Sequence, residues 1–486
     1  MNFAAAPTPL DWWALGPVLA LSIGLLALLL FELVPAPAGS ARAPALTLVI
    51  FAVAAALAWN VRGVARAPFG GMFVHDGFTL FFTLLFCGIG ALGTLISWDY
   101  ARRTGIGRAE YYALLVGSTL GMVLMAASND LITIFLGLEL MSLALYVLVG
   151  FRRSRLDSNE AAVKYFLLGA FASGFLLYGI ALCYGATGTT NLGRMSEFLA
   201  GSPIQNNALL VTGGLLLLTG LAFKISAVPF HMWTPDAYEG APTAVTGFMS
   251  AGAKAAGFAA LLRVALHPLA GLHESWGTII TVVAILTMTV GNVTALLQLN
   301  LKRMLAYSSI AHAGYLLVAV VAGGPDGAAA ALLYLAVYSV MNLGAFGVLT
   351  LLGREHEERV LLGDVAGLGF RRPWIGLAMA IFMLSLAGIP PTAGFMAKAY
   401  LFGVAVRTGH VPLVIVAVLN SVVSVFYYLR VTVAMYMEEP QGEPAALSRS
   451  IPGAIALVAA VALTLWWGVQ AHALLVMAQR SVQGLL

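Results

Sequence analysis

Residues 208–230 read ALLVTGGLLLLTGLAFKISAVPF, an apolar run that carries Lys224 inside it and ends beside Pro229. As a helix rising 1.5 Å per residue, about 20 residues cover the roughly 30 Å hydrocarbon layer of a bilayer. A lysine inside that layer is costly, and a proline removes a backbone donor and interrupts the helix. The segment reads as a membrane-spanning helix that is broken, with an ionisable group at the break.

Similar runs recur on both sides. They lie near residues 12–33, 45–59, 78–98, 111–127, 131–151 and 161–187 before it, and near 241–266, 276–297, 304–321, 328–352, 374–400, 411–436 and 452–477 after it. The fold class is therefore all-α and polytopic, with about fourteen transmembrane helices. Composition agrees: 60% of the 486 residues are hydrophobic, 9% are charged, and mean hydropathy is +0.92. No soluble domain interrupts the runs. The first, Trp12 to Leu33, lacks a basic leading region and is too long for a signal peptide, so it is expected to be a retained helix.

The net charge of +4 does not point to nucleic acid, because the basic residues sit in short loops between spans. The loops holding Arg102, Arg103 and Arg108, then Arg152, Arg153 and Arg155, then Lys302 and Arg303, then Arg354, Arg359, Arg371 and Arg372 all follow odd-numbered spans. By the positive-inside rule they face the cytoplasm of a bacterial inner membrane, with both termini periplasmic. Cys87 and Cys183 stand alone in apolar runs and read as core residues. No haem, zinc or iron-sulfur spacing is present.

A second run is interrupted at Gly388, Ile389, Pro390 and Pro391. Two broken helices in corresponding places suggest two inverted five-helix repeats, residues 108–267 and 274–437, between a three-helix segment (1–107) and a C-terminal helix (438–486).

Of five lysines in the chain, Lys224, Lys254 and Lys398 fall inside apolar spans. Glu139 lies about 13 Å along its helix from Asp130, near mid-membrane, with no charged neighbour on that helix. Each such group costs roughly 2.5–3.5 kcal/mol on insertion scales, on the order of 10 kcal/mol for the four, which suggests a function. A static strut would pair the charges. Glu139 with Lys224 could be such a pair, but Lys254 and Lys398 have no evident acidic partner, and that favours a proton relay. His231, just after the first break, and His312 are secondary candidates. No metal site is expected, and the glycine richness fits close helix packing.

The letters at these positions resemble a known family, the antiporter-like subunits of proton-pumping NADH-quinone oxidoreductase, respiratory complex I. The resemblance rests on Leu136–Met141, on Phe223–Pro242 (FKISAVPFHMWTPDAYEGAP), on the stretch through Lys254, on Leu301–Tyr315 (LKRMLAYSSIAHAGY) and on Gly388–Lys398 (GIPPTAGFMAK). Residues 158–192, and a lysine at 398 where sister subunits are expected to carry an acid, point to one branch. The resemblance implies that Glu139 and Lys224 are the switching pair, Lys254 the connector and Lys398 the donor toward the periplasm. It also implies that NADH, FMN, iron-sulfur clusters and quinone are bound by partner subunits, with this chain holding no cofactor. Other complex I membrane subunits and lipid are the implied partners. The alternative is a subunit of a multisubunit sodium/proton antiporter, which shares the constellation but would need more oxygen ligands near the breaks. A titratable replacement, Lys398→Glu, is expected to be mild.

Overall fold

The computed structural model describes residues 8–33, 40–201, 208–268, 273–353, 358–439 and 449–483. Arg354 and the side chain of His273 lie outside them. The helices are α1 (Gly16–Phe31), α2 (Arg42–Asn60), α3 (Gly77–Arg103), α4 (Ala109–Ala127), α5 (Leu131–Val149) and α6 (Leu156–Thr187). Next come α7 (Ala208–Lys224), the short α8 (Trp233–Gly240), α9 (Thr243–Leu266), α10 (His273–Leu296), α11 (Leu301–Ala322) and α12 (Gly324–Thr350). The chain closes with α13 (Pro373–Ala387), α14 (Ala393–Arg407), α15 (Val411–Met437), α16 (Ile451–Val469) and α17 (His472–Val482). Among the described residues, eleven helices are long and apolar enough to cross a membrane, and the shorter apolar α1, α7 and α13 complete the spans expected from the sequence.

Polar residues immediately ahead of apolar runs set where several helices start, because a side-chain oxygen there accepts one of the unpaired first-turn N–H groups. Asp76 accepts from Thr79 N (2.7 Å), Asp130 from Ile132 N (2.9 Å) and Asn300 from Lys302 N (2.9 Å). Small residues set how closely the helices cross. A Cβ at Gly121 would stand 2.4 Å from Met141 N, and one at Gly179 2.6 Å from Leu217 N, so α4 meets α5, and α6 meets α7, backbone to backbone.

The most hydrophobic windows of α9 and α12 are 100% buried and that of α11 is 94% buried, whereas those of α6, α10 and α15 are only 39% buried. The centre of the molecule is thus α9, α11 and α12. The outer helices turn apolar side chains such as Phe171, Val422, Phe426 and Val469 outward.

Both expected breaks are present. Helix α7 stops at Lys224, Ser226 takes a left-handed backbone (φ 63°), and Val228–Pro229 is cis. Helix α13 stops at Ala387, Gly388 is left-handed (φ 87°), Pro390–Pro391 is cis, and α14 resumes at Ala393.

Two expectations need correction. The run 452–477 is two helices, because Gln470 leaves the helical backbone (φ −124°, ψ 60°) and the polar residues after it belong to the amphipathic α17. The basic residues at 152 and 302 are not simply free loop charge either. Both side chains are buried, Lys302 at 1% exposure, and each pairs with Glu358.

Candidate functional site

Lys224 is the last residue of α7 and fully enclosed, yet its Nζ has no hydrogen-bond partner. It stands over the rings of Tyr165 (5.4 Å), Tyr146 (5.5 Å) and Phe223 (5.7 Å), whose electron-rich faces attract a cation without a formal counter-charge. Glu139, half-buried on α5, accepts a short hydrogen bond from Ser173 of α6. Glu139 and Lys224 are not in hydrogen-bonded ion-pair contact; Tyr146, two turns along α5 from Glu139, lies against Lys224.

Lys254 stands midway along α9. A Cβ at Gly257 would touch Lys224 Cβ at 3.5 Å, so Lys224 packs one turn of α9 away from Lys254. The Lys254 ammonium donates to the carbonyl oxygen of Ser309 on α11 and, at 2.5 Å, to its hydroxyl. Its Nζ also lies 5.9 Å from the ring of Tyr338.

His312 occupies the space beyond. Its Nδ1 is 2.7 Å from the Tyr334 hydroxyl and its Nε2 is 3.1 Å from that of Tyr428, which in turn bonds Ser308. The imidazole packs against Tyr338 (5.0 Å) on the Lys254 side and Tyr315 (5.6 Å) on the other. Lys398 Nζ is 5.1 Å from that same Tyr315 ring. Lys254, His312 and Lys398 are thus consecutive, joined by tyrosines that each touch two of them.

The second break explains where Lys398 points. A helix that stops leaves its last carbonyls without intrahelical donors, at the negative end of its dipole. Lys398, on α14, reaches back across the break to the oxygens of Leu386 (3.0 Å) and Ala387 (2.9 Å), and to Ser421 Oγ (2.8 Å). None of the three lysines has a carboxylate within ion-pair distance among the described residues.

His231 lies within the first break, half-exposed beside exposed Phe230 and Met232, and no hydrogen bond joins it to the lysines. Sequence reasoning missed the tyrosines around the basic groups, whose letters are indistinguishable from core aromatics, and also a charged cleft above the line. This cavity of about 310 Å³ is lined by Glu160, Lys164, Asp236, Glu239 and Arg303 among others. Its floor is α8, whose buried Tyr238 lies near Ser309, the partner of Lys254. The clue was visible in Asp236 and Glu239, acids on the link between a broken helix and the helix of Lys254.

Fold and site together define a class: an antiporter-type polytopic membrane subunit, with two broken helices and buried basic groups strung between them. Residues 128–424 match the family described as NADH:quinone oxidoreductase/Mrp antiporter, TM. NADH-quinone oxidoreductase subunit N of Trichlorobacter lovleyi is 50% identical over 421 residues, 87% of this chain and 86% of that protein. Subunit N 2 of Solibacter usitatus is 41% identical and covers 99% of both chains. The chain belongs to this family, in its NADH-quinone oxidoreductase subunit N branch. Among solved structures, a chain of respiratory complex I from Thermus thermophilus superposes with a TM-score of 0.80 at 38% identity, covering 94% of this chain and 98% of that one. A chain of the Mrp complex from a Dietzia species has a TM-score of 0.86 at 23% identity, covering 98% and 97%, and shares the fold.

Proposed function

We propose that this chain carries protons across the bacterial inner membrane as a membrane subunit of an NADH-quinone oxidoreductase, with Lys254, His312 and Lys398 as successive stations and Glu139 and Lys224 as the pair that switches them. Electron transfer from NADH to quinone, with its flavin and iron-sulfur centres, belongs to partner subunits, as in the complexes for which the relatives are named. The arginine-rich loops face the cytoplasm and the termini the periplasm.

One observation carries the reading: the buried lysines are solvated by carbonyls, hydroxyls and rings instead of by carboxylates. A buried ion pair resists proton transfer, because neutralising one member strands the other. An ammonium held by neutral groups can lose its proton and leave those groups satisfied by one another or by water. His312 can accept at one ring nitrogen and release at the other, between the two lysines that flank it. Protons enter from the cleft by way of Tyr238 and Ser309 to Lys254, and leave by Lys398 at the second break. Glu139 and Lys224, on either side of Tyr146, set through space whether Lys254 is charged.

The test is the complex purified with this chain tagged and reconstituted into vesicles, scored for NADH oxidation and for acidification together. Lys254→Met is expected to assemble and to pump fewer protons per electron. A wild-type ratio in that variant would refute the relay. Elution without flavin and iron-sulfur subunits, with only other antiporter-type chains, would move the assignment to cation exchange.

A further inference from the structure

On the arginine-rich face, Glu358 lies in the connection between α12 and α13 and is almost enclosed, its side chain 12% exposed. Four segments converge on its carboxylate. Tyr100, from the last turn of α3, donates a short hydrogen bond. Thr243, the first residue of α9, donates from its backbone N at 3.1 Å and its hydroxyl at 2.9 Å. Arg152, after α5, approaches at 3.3 Å, and Lys302, in the first turn of α11, at 3.5 Å. The Lys302 ammonium also donates to Ala241 O (2.5 Å), just ahead of α9.

The relay reading needs Lys254 of α9 to stay in register with Ser309 and His312 of α11. Thr243 is eleven residues from Lys254, about 16 Å along α9, and Lys302 is seven residues from Ser309, about 10 Å along α11. Both helices are therefore tied at the same end to the same carboxylate. Burial favours the neutral acid, but Lys302, Arg152 and the hydrogen bonds outweigh it and hold Glu358 down to about 2, so it stays ionised and does not itself ferry protons. Without that charge, two buried cations would face each other and the positive end of the α9 dipole.

We propose that Glu358 is a positioning residue for proton translocation: an ionic clamp that fixes α9 against α11, and so Lys254 against Ser309 and His312, while joining Arg152 of the first helix group to Lys302 of the second. The proposal rests on the relay reading. Glu358 acts through the helices and touches no transferred proton.

The test compares Glu358→Gln, Lys302→Met, the double variant and Lys254→Met in the purified, reconstituted complex. Subunit content, quinone reduction and protons per electron are read for each. Glu358→Gln is expected to lose pumping stoichiometry while quinone reduction persists. The double variant returns the net charge of the cluster to its original value but lacks both members of the link, and is expected to assemble and to remain as poorly coupled as Glu358→Gln. A wild-type ratio in Glu358→Gln or in the double variant overturns the clamp. If Glu358→Gln fails to assemble, the double variant decides: assembled with a reduced ratio supports the clamp, and any other result overturns it. Normal pumping by Lys254→Met would instead remove the relay, and with it the premise.

Discussion

Arg263 near the end of α9 and Asp76 at the head of α3 form a two-pronged ion pair, Nη1 to Oδ2 and Nη2 to Oδ1, each at 3.0 Å. Both side chains are buried, 4% and 5% exposed, and the guanidinium also donates to Thr79 Oγ1 (2.8 Å) and to Ala126 O (2.5 Å). Helix α3 therefore grips α9 at both ends, through Asp76 on one face and Tyr100 on the other. This gives the N-terminal helices a part that the sequence did not disclose.

Removing one member strands a buried charge. Asp76→Leu is expected to destabilise the protein by roughly 3–5 kcal/mol, and Asp76→Leu with Arg263→Met by much less, since an apolar pair of similar volume leaves nothing unpaired. Thermal unfolding of the detergent-solubilised complex checks this, and equal losses in the single and double variants would contradict it.

Lys398→Glu, mild on sequence grounds, is expected to be severe. The ammonium satisfies two helix-terminal carbonyls and Ser421, whereas an ionised carboxylate would be repelled by those oxygens. Lys398→Arg, which keeps the donors, should retain more proton transport than Lys398→Glu in reconstituted vesicles.

Lys224→Ala is expected to assemble, because the side chain holds no hydrogen bond or ion pair, and to lose proton transport coupled to electron transfer. Normal coupling in the assembled variant would remove Lys224 from the relay.

Gly394→Ala should damage the second break. A Cβ there would sit 1.8 Å from Ser385 O, a backbone atom that cannot yield without parting α13 from α14. Reduced assembly, or lower stability by more than the roughly 1 kcal/mol that glycine and alanine differ in helix preference, is the expected result.

The pH dependence of the Glu358 cluster has a definite sign. A carboxyl held below its ordinary value contributes stability that is complete above the ordinary carboxyl range and is lost as pH falls through about 2. The stability gap between wild type and Glu358→Gln should thus be flat from neutral pH down to about 5 and shrink only in stronger acid. A gap that changed near neutrality would mean that the cluster titrates there.

The sequence by itself determined the spans, both breaks and the ionisable groups within the membrane. These are local properties: about 20 apolar letters reach across a bilayer whatever surrounds them, proline and glycine act on their own backbone, and a lysine in lipid is conspicuous at once. Only the tertiary structure decided what each charge touches. It left Lys224 without a hydrogen-bonded carboxylate, set His312 between two lysines and joined His231 to none of the lysines by a hydrogen bond. It also turned Arg152 and Lys302 from loop charges into partners of Glu358. Those outcomes depend on residues as far apart in the chain as Tyr100 and Glu358. Which tyrosine, carbonyl or carboxylate completes a buried cation is fixed by packing between helices, and no period or spacing within one helix encodes it.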